Sequence, residues 1–190
     1  FRSIGCSTGG PPALRELLPA LGPDWRLPIL IVQHMPPTFT AILAEHLGKM
    51  LPLDVAEGHP GEVVRPGMVR IAPGDFHMTV RRQGGQIVTD LDKNPAENWC
   101  RPSVDPLFRS AAAVWGDRAL GIVLTGMGHD GREGARALTE RGALVMAQDE
   151  DTSVVWGMPG AVVDAGLAGV VKPIPALAQA ARGLMLGVQP

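Results

Sequence analysis

A serine, a histidine and an aspartate, each beside a glycine- or proline-rich turn, are the residues of this chain best suited to chemistry. Ser7 lies in Ile4-Gly5-Cys6-Ser7-Thr8-Gly9-Gly10-Pro11-Pro12, which contains Gly-x-Ser-x-Gly. A serine on a sharp strand-to-helix turn projects its Oγ from the sheet edge, and glycines beside it permit the tight backbone and a close substrate. His34 stands in Gln33-His34-Met35-Pro36-Pro37, and Asp130 in Thr125-Gly126-Met127-Gly128-His129-Asp130-Gly131. The three types suit acyl transfer: Ser7 as nucleophile, His34 as base and then acid, Asp130 orienting the imidazole and stabilising its charged form. The backbone N–H groups of Thr8 and Met127, each in a glycine-rich turn, are candidate oxyanion donors.

Such residues must be carried to one place by the fold. Phe1–Gly5 reads as a strand, and Pro11-Pro12 opens a helix to about Leu21. Pro28–Gln33 is a continuous apolar run, as in a strand buried on both faces. Thr38–Met50 has helical apolar spacing. Met68–Ala72 and His77–Val80 read as short strands, the latter joined to Gln86–Thr89 through Gln83-Gly84-Gly85, a hairpin signal. A helix over Ser103–Trp115, a strand over Ala119–Thr125, a helix over Arg132–Arg141, a strand over Ala143–Gln148 and a helix over Pro175–Leu186 complete the pattern. The alternation predicts a doubly wound α/β fold: a mostly parallel sheet, helices on both faces, and one antiparallel β-hairpin. Ser7, His34 and Asp130 all follow strands, and sites in such folds gather at the C-terminal strand ends.

Each residue also has a plainer reading. Gly-x-Ser-x-Gly is short and common, His34 can be a hydrogen-bonded loop residue, and Asp130 can be the N-cap of the helix beginning near Arg132. His46 reads as a helix-surface residue, His59 as a loop residue, His77 as structural, and His129 as a neighbour of Asp130. A rival function uses the same stretch. Gly126, Gly128 and Gly131 match Gly-x-Gly-x-x-Gly between a strand and a helix, with Asp149 downstream, as in a nucleotide- or phosphate-binding Rossmann-like module. Against it, about 60 residues follow the motif, and Asp130 would repel a pyrophosphate. A third reading places a phosphate on Ser7-Thr8-Gly9-Gly10 at a helix N-terminus.

Composition narrows the classes. The chain has 190 residues, enough for one domain with a real core, and 45% are hydrophobic against 19% charged. A net charge of −2 offers no basic surplus for nucleic acid. Cys6 and Cys100 lack metal-type spacing, and two cysteines make no disulfide framework, so a reducing, cytoplasmic setting is expected. No apolar run approaches the ~20 residues of a membrane span, and no signal peptide opens the chain. No ligand spacing of the His-Glu-x-x-His kind occurs, so neither a catalytic metal nor a cofactor is expected. Phe1 is not an initiator residue, which suggests a piece of a longer protein; a monomer is the expected state.

Six blocks occur in order: Ile4-Gly5-x-Ser7-Thr8-Gly9-Gly10; Gln33-His34-Met35-Pro36-Pro37; Ile71-Ala72-Pro73-Gly74-Asp75-x-His77-Met78; Arg101-Pro102-Ser103-Val104-Asp105; Leu124-Thr125-Gly126-Met127-Gly128-x-Asp130-Gly131; and Gly157-Met158-Pro159. Together, from residue 4 to roughly residue 172, they resemble the catalytic domain of the bacterial chemotaxis protein-glutamate methylesterase family. The resemblance implies a serine hydrolase that demethylates chemoreceptor glutamates and in many members deamidates receptor glutamines. It implies Ser7, His34 and Asp130 as the triad, with oxyanion contributors near Thr8 and Met127. It also implies methylated cytoplasmic receptor helices as substrate and an N-terminal receiver domain that covers the site, absent from residues 1–190. Cys6, His129 and Trp99-Cys100 depart from the family pattern. Arg101 is the basic residue expected near an acidic receptor helix.

Overall fold

The computed structural model describes residues 1–187. In chain order the elements are β1 (Arg2–Cys6), α1 (Gly10–Ala20), β2 (Ile29–Gln33), α2 (Phe39–Met50), β3 (Asp54–Glu57), β4 (Met68–Ile71), β5 (His77–Gln83), β6 (Gln86–Asp92) and α3 (Val104–Trp115). They continue as β7 (Leu120–Val123), α4 (Arg132–Glu140), β8 (Leu144–Gln148), α5 (Gly157–Asp164), β9 (Val170–Lys172) and α6 (Ile174–Met185). Seven strands form a parallel sheet in the order β3-β4-β2-β1-β7-β8-β9, and β5 and β6 form a separate antiparallel hairpin. This is the doubly wound arrangement the alternation predicts.

Strand β2 shows why the sheet is central. Ile29 and Ile31 enter the core built with α1, α2 and α6, while Leu30 and Val32 enter the core built with α3, α4, α5 and the hairpin. A strand buried on both faces needs apolar residues at every position, not at alternate ones. The chain places β1 in the middle, with β2 on one side and β7 on the other. It winds outward through β2 and β4, then returns to the far side of β1. Ligands in such folds bind where the strand order reverses, because the connections there diverge and leave a crevice. The turns carrying Ser7 and Asp130 leave adjacent strands at that point.

Three elements are invisible to periodicity. Strand β3 is Asp54-Val55-Ala56-Glu57, a half-exposed edge with no apolar run. Register with β4 and the side chain of Arg70 hold it. That guanidinium, 4% exposed, donates through Nε to both oxygens of Glu62 (3.0 and 2.9 Å), through Nη2 to Asp54 Oδ2 (2.8 Å), and through Nη1 to the Asp54 carbonyl (2.6 Å). Strand β9 has three residues at the opposite edge. Helix α5 begins Gly157-Met158-Pro159-Gly160, a poor helix sequence by propensity. It forms because its first turn packs against the Gly126 turn, as described below. The hairpin is longer than the apolar residues indicate, since its outer ends are polar and pair through backbone bonds. No described helix is long and apolar enough to cross a membrane.

Replacing Arg70 by alanine removes the buried cation between Glu62 and Asp54 and leaves them only the exposed Arg65. The expected loss is about 1–3 kcal/mol of unfolding free energy, measured by urea denaturation, as for lost hydrogen bonds to charged groups.

Candidate active site

The end of β1 is pinned on both sides. The Ser7 N–H donates to the Thr125 carbonyl (3.0 Å), the His34 N–H donates to the Cys6 carbonyl (3.1 Å), and Gln33 Nε2 donates to the Ser7 carbonyl (3.0 Å). The backbone of Ser7 is thereby fixed between the ends of β2 and β7. Gly126 makes this closeness possible: a Cβ there would lie 2.8 Å from the Ser7 Cβ and 2.4 Å from the Met158 Sδ. The N–H of Met158 donates to the Gly126 carbonyl (2.7 Å), so α5 presses the glycine turn toward Ser7. The Gly157-Met158-Pro159 block, which spacing alone leaves unexplained, is a buttress for this turn.

His34 is fixed from behind. Gly74 packs so tightly that a Cβ would lie 2.2 Å from the Pro37 nitrogen, and its N–H donates to Thr40 Oγ1 (3.0 Å). In front, His34 Nε2 meets Asp130 Oδ2 at 2.6 Å. The Asp130 carboxylate is 2% exposed. It accepts from Asn98 Nδ2 (2.8 Å), Ser103 Oγ (2.7 Å), and the N–H groups of Val104 (2.7 Å), Asp105 (3.2 Å) and Gly131 (2.9 Å). Two of these amides open α3. Asp130 therefore caps α3 across space, while Ser103, at the N-cap position, gives its hydroxyl to Asp130 and leaves its own helix without a side-chain cap. The N-cap reading of Asp130 toward α4 is not what forms: that helix has no side-chain cap.

The electrostatics follow. Burial raises the Asp130 carboxyl, but the His34 bond and charge and the Val104 and Ser103 donors prevail, so it stays below the usual carboxylate range. Burial lowers His34, but its bonds to Asp130 and Cys100 and their charges outweigh that and lift it to about 9. With Nε2 committed to the carboxylate, Nδ1 is the atom left to exchange a proton with a reactant. That atom lies 3.4 Å from Cys100 Sγ. Ser7 Oγ has no hydrogen-bond partner among the described residues, so the serine–imidazole bond is open in this conformation; apo sites commonly show this looseness. The N–H groups of Thr8 and Met127 likewise have no acceptor among the described residues.

Three participants escaped spacing: Asn98, Cys100 and Ser103. All lie on the connection from β6 to α3. Glu97 and Cys100 exchange both backbone bonds (3.1 and 2.9 Å) across a two-residue turn, with φ of 53° at Asn98 and 64° at Trp99. Two left-handed central residues make this a type I′ geometry, which asparagine tolerates well. Asn98 Nδ2 also donates to Asp105 Oδ2 (2.7 Å), so one amide separates two buried carboxylates. The Asp105 carboxyl is raised by burial and by the Asp130 charge. His77 is structural, as expected: Nδ1 accepts the Ser103 N–H (3.2 Å), which leaves Nε2–H to donate to the Pro95 carbonyl (3.1 Å).

Arg101, expected near an acidic receptor helix, is paired within the chain: its guanidinium donates to Asp75 (3.1 and 2.6 Å) and to the carbonyls of Lys93 and Asn94, and so braces the connection. The Rossmann-like reading loses two of its supports: the Gly131 amide is occupied by Asp130, and Asp149 closes its own turn onto Thr152. A cleft of about 660 Å³ lies at the other end of the sheet, lined by Arg2, Arg118 and Leu144 among others, remote from Ser7. Among the described residues no three His, Cys, Asp or Glu gather to hold a metal ion.

The family profile described as CheB methylesterase matches residues 3–181. The chain belongs to the CheB methylesterase family. The crystal structure of the Thermotoga maritima CheB methylesterase catalytic domain matches it with a TM-score of 0.94 at 42% identity, over 96% of this chain and 97% of that one. A Caulobacter vibrioides protein named protein-glutamate methylesterase/protein-glutamine glutaminase 2 is 54% identical over 186 residues, 95% of this chain and 54% of the relative. A Maricaulis maris protein named protein-glutamate methylesterase/protein-glutamine glutaminase is 55% identical over 185 residues, 95% of this chain and 46% of the relative. The chain thus spans about half the length of these curated relatives. In this CheB fold the glycine-rich turn after β7 serves to carry Asp130.

By NMR titration the His34 imidazole is expected to lose its proton near pH 9. Asp130→Asn removes the negative partner and should bring that midpoint down toward or below the ordinary 6.5. An unmoved midpoint would disprove the electrostatic origin of the shift.

Proposed function

We propose that this chain is a serine carboxylic-ester hydrolase that removes the methyl group from glutamate γ-methyl esters of chemoreceptors. The observation that carries this reading is the His34–Asp130 pair, closed at 2.6 Å beside the Ser7 turn, in a chain of the CheB methylesterase family. Cytoplasmic receptor helices are the substrate, and the cytoplasm is the site of action.

The His34–Asp130 pair supports the following catalytic roles. His34 Nδ1 takes the proton as Ser7 Oγ attacks the ester carbonyl, and the C=O electrons move onto oxygen. Asp130, held on Nε2, stabilises the imidazolium without taking its proton. The backbone N–H groups of Thr8 and Met127 receive the oxyanion. The tetrahedral adduct collapses, the C–OCH₃ bond breaks, and the imidazolium returns its proton to methoxide, releasing methanol. Water, deprotonated by the same nitrogen, then frees the glutamate and restores Ser7. A glutamine amide enters the same sequence with ammonia as leaving group, in keeping with the second half of the relatives' names.

The raised His34 value has two consequences of opposite sense. The base must be neutral, so kcat/KM should climb with pH and level off only above about 9. The folded-state value lies above the ordinary 6.5, so the pair's contribution to stability is complete below about 6.5 and is lost as pH rises through about 9.

Ser7→Ala should lower methanol release from methylated receptor membranes by roughly three orders of magnitude or more. A fluorophosphonate probe should label the native chain at Ser7 and leave the variant unlabelled. Unchanged methanol release by Ser7→Ala overturns the serine mechanism.

A further inference from the structure

Trp99 is 97% exposed, the largest side chain type in the most open position of any exposed large hydrophobic described. It also sits at φ 64°, a left-handed conformation that bulky residues rarely adopt. Both features oppose folding: the indole stays in water, and the backbone strain has no local return. Residues held this way, over-determined by their surroundings, cluster at functional sites. Here the surroundings are the active-site residues themselves. Asn98 on one side of Trp99 reaches Asp130, and Cys100 on the other lies against His34. The turn therefore anchors its two flanks in the imidazole–carboxylate pair and thrusts the residue between them outward at the rim.

Other turns of the site also expose apolar side chains: Met127 (72% exposed) follows the Gly126 turn that touches Ser7, and Val154 (68%) packs beside Gly9. The cations of the same connection are paired within the chain. Lys93 is paired with Asp75 at 2.8 Å, and Arg101 is paired with the same carboxylate at 2.6 Å. A surface with bound cations and a free indole recognises apolar surface, and a tryptophan covered on association contributes disproportionately to an interface.

We propose that Trp99 is a specificity-determining residue of the hydrolase. Its indole is covered by the substrate protein, against an apolar side chain presented beside the methylated glutamate. This rests on the ester-hydrolase reading above and names what the site recognises beyond the ester. The occupant is the substrate segment, because the turn bearing Trp99 is continuous with the residues that surround the reacting atoms.

The experiment compares the whole protein with its Trp99→Ala, Trp99→Phe and Trp99→Gly variants on two substrates: methylated receptor membranes and p-nitrophenyl acetate. The quantity read is the ratio of kcat/KM on the receptor to kcat/KM on the small ester. It should fall by ~10-fold or more in Trp99→Ala, chiefly through KM, as expected for loss of a covered tryptophan. Trp99→Phe should recover most of the ratio. Trp99→Gly, which relieves the backbone, should raise thermal stability and still show the low ratio. An unchanged ratio in Trp99→Ala overturns the proposal, as does recovery of the ratio by Trp99→Gly. Ser7-dependent hydrolysis of p-nitrophenyl acetate reports the hydrolase reading separately, so either idea can fail while the other stands.

Discussion

A carboxylate taken out of water must find donors for its lone pairs, and Asp130 finds six. They come from four places in the chain: the imidazole of His34, the amide of Asn98, the hydroxyl and backbone at the start of α3, and its own glycine turn. No single one would compensate the desolvation of a buried charge. Together they keep it ionised, and an ionised Asp130, with Cys100 on the other ring nitrogen, raises His34 to about 9. The position of α3, the course of the connection before it, and the tautomer of the imidazole all depend on this one charge being satisfied.

The arrangement also exchanges conventional local roles for distant ones. Ser103 occupies an N-cap position but serves Asp130, and Asp130 supplies the cap that Ser103 does not. The helix loses nothing, since its free N–H groups still meet an acceptor, and the field of its N-terminus now stabilises a charge that faces His34. Asn98 has a comparable double duty. One amide group donates to Asp130 and Asp105 alike and so screens two acidic groups that would otherwise repel each other. The cost of burying polar groups is met by linking the site to its supports.

The glycine turns act by bringing backbones close. Gly126 lets α5 lean on the turn beside Ser7, and Gly74 lets the loop after β4 press on the prolines behind His34. Ser7, His34 and Asp130 are carried on short turns that follow neighbouring parallel strands, and these contacts hold the turns close. Stiffness of this kind matters for the proposed base and nucleophile, whose separation would set the rate.

The parallel sheet, its hairpin and the three polar strand ends were legible in the amino-acid order. Unbroken apolar runs mark strands buried on both faces, and Ser7, His34 and Asp130 each follow such a run. Asn98, Cys100 and Ser103 were not legible, because their contacts span 66 residues between Cys100 and His34 and 32 between Asn98 and Asp130, and no periodicity links positions so far apart. Strand β3 and helix α5 escaped for a related reason: Arg70 and the Gly126 turn stabilise them from outside, against their own propensities. The fate of Arg101 was likewise decided by Asp75, a neighbour only in space. Local sequence sets what each segment can bury; which polar groups pair, and hence which charges persist, is set only when the chain has closed.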